Sequence, residues 1–314
     1  MNTRNYTPKY PILNVLIPSI GRSSLSEITS DINNDSCNSG LRVQIYLALN
    51  GSMTVKAPQN SVKVLNISDK PIGVAETVNR ALKMIPNGVT WTIADDERWL
   101  NGKFLSDLDE ISKLGTNFIL LPKSIFEDEL GKSVRPRIPI RSNESVYNYL
   151  FGKPSIGRNK RYISLSGACA YTPVWRSVKF PEGLSTREDI EYLRLQQMLG
   201  CTLVQSAYTT VKINVSLSRS AKREIDPLDA LTWAVGNLSK KEFIGFIGGS
   251  WSKPLVYTSN SRALFNMISL IAKDSSMDIG FLVKVATNCL LIFWLIIIHI
   301  LKFSLKYRRK RFSN

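Results

Sequence analysis

The sequence predicts an α/β protein with a mostly parallel sheet and helices on both faces, followed by a C-terminal membrane helix. Three observations predict it. Short apolar runs recur at 12–18 (ILNVLIP), 43–49 (VQIYLAL), 62–67 (VKVLNI) and 89–94 (VTWTIA), each of strand length. Helical spacing lies between them, and strands alternating with helices imply parallel pairing. Near the C-terminus one long apolar run, 279–303, passes into a segment, 302–314, that holds six basic residues.

Taken in order, the first strand is ended by Pro18, and the Ser-rich GRSSL opens a polar helix of about 23–33. The second strand ends in the turn Asn50-Gly51-Ser52. Residues 73–85 place Val74, Val78, Ala81, Leu82 and Ile85 at helical spacing. The fourth strand runs straight into Asp95-Asp96-Glu97, with a helix beginning near Leu100. Residues 131–161, rich in Arg, Lys, Ser, Pro and Gly, read as a long, partly mobile loop. YISLSGACAYTPVW reads as strand, turn and strand, 187–199 as a helix and 202–213 as a strand. Further helices are expected around 228–238 and 260–272.

Composition excludes several chemistries. The 314 residues include four cysteines, widely spread and without CxxC spacing, which argues against a disulfide scaffold or a thiolate metal site. The only histidine, His299, lies in the apolar C-terminal run, so a His triad or multi-histidine metal centre is excluded. No GxGxxG follows the first strand and no GxxxxGK[ST] occurs, which removes the main support for a dinucleotide fold or a P-loop. Acid–base or metal chemistry must come from carboxylates.

Forty-one basic residues against 25 acidic give a net charge of +16. Residues 302–314 hold six of the basic residues and no acid, leaving 35 against 25 on the rest. Such a balance suggests an anionic partner, either nucleic acid or a membrane surface. No nucleic-acid motif or interleaving of aromatic and basic residues is present, so no nucleic-acid partner is expected. The run 279–303 approaches the roughly 20 apolar residues that span a bilayer, with Lys284 and Lys302 snorkelling outward. Membrane lipids are therefore expected partners. The N-terminal MNTRNYTPKYPILNVLIPSIGR has no long apolar h-region, so no signal peptide is expected. The positive-inside rule places the tail in the cytoplasm, which favours an in-plane or re-entrant anchor.

Two acidic clusters stand out. Asp95-Asp96-Glu97, at the end of a buried strand, suits either a hard divalent cation or a polar turn capping the next helix. Glu188-Asp189 fits capping boxes with Ser185 and Thr186, but only one acid can serve as the cap. The other is placed to act as a general base if burial raises its pKa.

In order along residues 12–213, six segments resemble family-2 glycosyltransferases of GT-A fold. VLIPSIGR resembles their opening "IIPTYNR" strand and LALNGS their "VVDDGS". IGVAETVNRAL resembles "GVAGARNRGL", and TIADDERW resembles the "LDDDD" segment with its Asp-x-Asp motif. LSGACAYTPVW resembles the acceptor-side "GG/SGA…RR" strand, and STREDIEYLRLQQMLG resembles "EDVELSLRLRRAGY". The resemblance implies a GT-A, Rossmann-like sheet and an inverting, metal-dependent transfer of sugar from a nucleotide-diphosphate donor. Pro18, Ser19, Asn50, Gly73, Asn79, Asp95 and Gly167 would line the donor. Asp95, Asp96 and Glu97 would hold Mg²⁺ or Mn²⁺. Asp189 would be the catalytic base, with Glu188 orienting it or contacting the acceptor. The acceptor would be a hydroxyl of a lipid-linked or polysaccharide molecule, at the cytoplasmic face of a bacterial inner membrane.

Three positions depart from the family pattern. Its base-reading acid falls at Leu49 or Asn50, its Arg before Asn79 is Val78, and the last acid of Asp-x-Asp is Glu97. These departures keep an alternative open, a catalytically inactive membrane-associated GT-A-like scaffold or nucleotide-binding protein. The domains expected are 1–240 for the transferase, 241–278 for a helical extension, 279–305 for the membrane helix and 306–314 for the basic tail. Oligomeric state is not legible.

Overall fold

In the computed structural model, which describes residues 12–51, 61–128, 131–152, 161–184, 187–214 and 227–246, the first four apolar runs are strands. β1 (Leu13–Ser19) lies between β2 (Val43–Asn50) and β4 (Val89–Thr92), and β2 pairs on its other edge with β3 (Val62–Ser68). All three pairings are parallel. A parallel sheet is covered on both faces, which is why β1 and β4 are buried at nearly every position, the threonines of β4 included. α1 (Leu25–Ser39) runs beyond the expected end at 33 because Ile32, Asp35 and Ser36 stay buried. It stops at Gly40, whose φ of 66° lets its N–H return to the Cys37 and Ser36 carbonyls.

The other half of the sheet is mixed. Its strands are β5 (Glu97–Trp99), β6 (Phe118–Asp128), β7 (Gly131–Arg135), β8 (Cys169–Tyr171) and β9 (Thr202–Asn214). The full order is β3-β2-β1-β4-β8-β6-β9-β5, with β7 on β6. β6 and β9 run parallel, whereas β8, β5 and β7 are antiparallel to their neighbours. α2 (Val74–Leu82) packs with α5 (Thr172–Ser177), and α1 packs with α3 (Lys103–Ile111). Right-handed crossovers leading outward from β1 and then back to β4 place α1 and α2 on opposite faces.

Two expectations are corrected. Residues 131–161 are not one long loop. β7 pairs along β6 from Asp128↔Gly131 to Ser124↔Arg135, and α4 (Val146–Phe151) forms where VYNYLF supplies apolar side chains to bury. In 162–175 only Cys169–Tyr171 is strand, because Pro173 in the first turn starts α5 and Trp175 is drawn into the core. α6 (Glu188–Met198) and β9 lie where the sequence places them.

The chain divides into two units, 1–146 with 160–223 and 147–159 with 224–314. The first holds the sheet. In the second, α7 (Pro227–Asn237) and α8 (Lys240–Phe246) gather Tyr147, Phe151, Trp233 and Phe246 into edge-on and tilted aromatic contacts. Among the described residues no helix is long and apolar enough to cross a membrane. The expected helix at 260–272, the membrane helix at 279–305 and the tail at 306–314 lie outside the described residues.

A buried polar network holds α3 beneath the sheet. Lys103 Nζ donates to Asp107 Oδ2 at 2.6 Å and to Thr210 Oγ1 at 3.0 Å, and it lies 5.2 Å from the Trp99 ring centroid. Trp91 Nε1 donates to the same Asp107 oxygen at 2.8 Å. On α1, Asp35 accepts from Trp99 Nε1, Gly102 N and Phe104 N. Lys103→Met would leave Asp107 charged and unpaired in the core, so a loss of about 3–5 kcal/mol is expected. Lys103→Met/Asp107→Leu should recover most of it, as read from urea denaturation midpoints.

Candidate active site

Strand order steps outward from β1 to β3 and then returns to β1's other side with β4. Ligands in open α/β sheets bind at such switch points, outside the carboxyl ends of the strands. Ser19 ends β1 and Asp95 follows β4, so both stand at this crevice. They are joined directly: Ser19 Oγ donates to Asp95 Oδ2 at 2.7 Å. The same oxygen accepts from Ile20 N at 3.3 Å, and Gly21 N donates to Ser19 Oγ at 2.8 Å. Ser24 Oγ donates to the Asp95 carbonyl at 2.6 Å. Burial pushes the Asp95 carboxyl above its ordinary range, opposed by Ser19 and Arg22.

Arg22 completes the cluster. Its Nη1 lies 3.1 Å from Asp95 Oδ1 and also touches Asp96 Oδ2. Two carboxylates thus converge on one cationic nitrogen. Glu97 departs from them. It accepts from Ser166 Oγ, and desolvation pushes its carboxyl up to about 8, so it is mostly protonated at neutral pH. Glu97 thus has a partner of its own, while the charge of Asp96 still raises it. Among the described residues no group of three or more His, Cys, Asp or Glu side chains is placed to hold a metal ion. Asp95 and Asp96 alone still fit a hard divalent ion, which takes one or two carboxylates plus substrate phosphates, and a cation already stands at their meeting point.

The second acidic cluster opens α6. Its N-cap is Arg187, with φ of 70°, the one non-glycine residue with positive φ among the described residues. The Arg187 side chain makes no capping hydrogen bond, and Ser185 and Thr186 lie outside the described residues. Asp189 Oδ1 accepts the N–H of Ile190 at 2.8 Å. Desolvation, with the charge of Glu188 second, pushes Asp189 up to about 7. Tyr162 lies within electrostatic reach of both clusters. Burial raises its hydroxyl first, and the carboxylates of Glu97 and Asp189 both raise it further. Residues 92 positions apart in sequence, Glu97 and Asp189, thus act on one side chain.

The other expected residues are spread more widely. Pro18 sits within β1 opposite Ala48. Asn50 donates to Gly73 O at 3.3 Å and accepts from Ile72 N at 2.8 Å, fastening the turn before α2. Gly73, with φ of 88°, caps that helix. Asn79 is filled by the segment before α6, accepting from Phe180 N and donating to Phe180 O and Glu182 Oε1. Gly167 is set by packing: with φ of 84°, a Cβ there would lie 2.2 Å from Val211 Cγ2. Sequence reasoning gave Arg22, Tyr162 and Ser166 no role. Arg22 and Ser166 lie inside the VLIPSIGR and LSGACAYTPVW segments, and that placement was the available signal.

Asp189 titrates near 7 in the folded state against 3.8 for an ordinary carboxyl. The folded state holds a proton that the unfolded chain releases. This group's contribution to stability is therefore greatest at low pH and is lost as pH rises from about 4 through about 7. Asp189→Asn is expected to exceed wild type in stability by about 1–3 kcal/mol above pH ~7, with the gain vanishing below pH ~4. Denaturant titrations at the two ends of that window check it.

No protein-family model matches the chain, and no curated protein matches it. Among solved structures it is similar to crystal structures of S. aureus TarS. For TarS 1-349 the TM-score is 0.49 at 16% identity, over 82% of this chain and 79% of that one. For TarS 1-349 in complex with UDP-GlcNAc the values are 0.48 and 14%, over 88% and 79%. For its complex with UDP they are 0.48 and 13%, over 79% and 71%. At these identities and scores the likeness assigns no role to any residue of this chain.

Proposed function

We propose that this chain is an inverting glycosyltransferase that moves a sugar from a nucleotide-diphosphate donor to an acceptor hydroxyl at a membrane. One observation carries the reading. At the switch point of the sheet Asp95, fixed by Ser19 Oγ at 2.7 Å, shares one guanidinium with Asp96, while Asp189 opens α6 as a separate acidic group. Separated acidic groups with different environments are what a transfer reaction needs, one to organise the leaving diphosphate and one to take a proton. The apolar run 279–303 and the basic residues after it support an acceptor held at the bilayer, at the cytoplasmic face of a bacterial inner membrane.

The chemistry follows from these residues. Asp95, fixed by Ser19, and Asp96 beside it would hold Mg²⁺ or Mn²⁺. When bound, such an ion supplies charge that neutralises the diphosphate leaving group. Asp189 accepts the proton of the acceptor hydroxyl as its oxygen forms a bond to the anomeric carbon. The bond from that carbon to the diphosphate oxygen breaks on the opposite face, and the electron pair leaves with the nucleotide. A base with a pKa near 7 is matched to work at neutral pH. Glu188, next to Asp189, contributes charge that keeps that pKa raised.

The reading is tested by thermal shifts of the detergent-solubilised full chain with UDP, GDP, CDP and dTDP, with and without Mn²⁺. A ligand that binds only the native state raises its apparent stability. A metal-dependent rise with one nucleotide is expected, and no rise with any of them in a folded sample overturns the reading. Asp189→Asn is expected to lower transfer by about 10²–10⁴-fold while leaving that nucleotide shift intact. Wild-type kcat/KM should climb with pH to a plateau above pH ~7, where the base is deprotonated. A variant with near-normal turnover would remove Asp189 from the chemistry.

A further inference from the structure

Arg22 occupies the point where the Asp95 and Asp96 carboxylates converge. Its Nη1 contacts Asp95 Oδ1 at 3.1 Å and Asp96 Oδ2 as well, so the pair cannot accept a second cation at that point while the guanidinium remains. The hold is one of charge alone. Nη1 is buried and makes no hydrogen bond of good geometry, while the Arg22 side chain as a whole is 25% exposed. Asp95 differs, since Ser19 and Ile20 fix its other oxygen. The carboxylate site is thus fixed by hydrogen bonds on one side and closed by an ion-paired cation on the other.

We infer that Arg22 is a built-in counter-cation that excludes metal from Asp95 and Asp96 until a diphosphate draws it away. A guanidinium fork matches phosphate oxygens and forms stronger hydrogen bonds with them than neutral donors do. Arrival of a nucleotide diphosphate moves Arg22 from carboxylate to phosphate, and the freed pair then accepts Mg²⁺ or Mn²⁺. Donor and metal therefore bind with positive coupling, and neither charge cluster is left uncompensated in the ligand-free protein. The diphosphate half of this inference rests on the donor reading above. The exclusion half rests on the Arg22 contacts alone.

The test measures Mn²⁺ binding by electron paramagnetic resonance on the full chain in detergent, for wild type and Arg22→Gln. Without nucleotide, Arg22→Gln is expected to bind Mn²⁺ at least about tenfold more tightly, because a like charge has left the site. UDP should tighten Mn²⁺ binding strongly in wild type and much less in the variant. Equal Mn²⁺ affinities without nucleotide, in two folded proteins, overturn the inference. Tighter binding by the variant with no response of wild type to any nucleotide overturns the donor reading, and with it the diphosphate half. Arg22→Met, which keeps an apolar stem without the charge, gives the same comparison where Arg22→Gln does not fold.

Discussion

Two opposite charges, Lys103 and Asp107, lie in the core at 1% exposure each, and the surrounding elements must stay together to keep both compensated. Neither has water to fall back on, so Thr210 of β9, Trp91 of β4 and the Trp99 ring of β5 act as their solvent. A buried ion pair adds little net stability by itself, but half of one is strongly unfavourable. That asymmetry ties α3 to three strands at once. Asp35 of α1 extends the tie by accepting from Trp99, Gly102 and Phe104. The acidic segment 95–97 lies between β4 and β5, so this network fixes both of its ends.

Within that frame the three adjacent acids meet their charge problem in three ways. Asp95 is held by Ser19, Ile20 and Arg22, and Asp96 shares the same guanidinium. Glu97 accepts from Ser166 and, buried and beside the charge of Asp96, keeps its proton at neutral pH. Glu97 begins β5, whose antiparallel pairing with β9 sets its direction independently of the turn before it. Neighbours in sequence are thus separated in chemistry by the start of a strand.

Several residues that the family resemblance places near the donor act through the backbone instead. Asn50 fixes the turn that starts α2. Asn79 joins α2 to residues 180–182, which lead toward α6 and Asp189. Their amides are well satisfied by protein groups. Both shape the surroundings of the crevice, and neither needs to touch a ligand to do so. Gly167 likewise admits Val211 of β9 at a distance no side chain would allow.

The sequence by itself determined the parallel half of the sheet, because a strand buried on both faces favours apolar or β-branched residues throughout, and β1, β2 and β4 are built mostly of them. It also marked both acidic clusters, one as charge at the end of an apolar run and the other by its capping-box spacing. It missed β7 and α4, where pairing with β6 and burial of Val146, Tyr149 and Phe151 override a loop-like, basic composition. Only the tertiary structure decided which acids meet. Periodicity fixes the direction of a side chain within its own element, while the partners of Asp95, Asp96 and Glu97 come from other elements. Arg22 follows β1, Ser166 precedes β8 and Tyr162 lies upstream of it, and no spacing along the chain relates them to residues 95–97. Their meeting is a product of sheet order, which the sequence pattern constrains only in part.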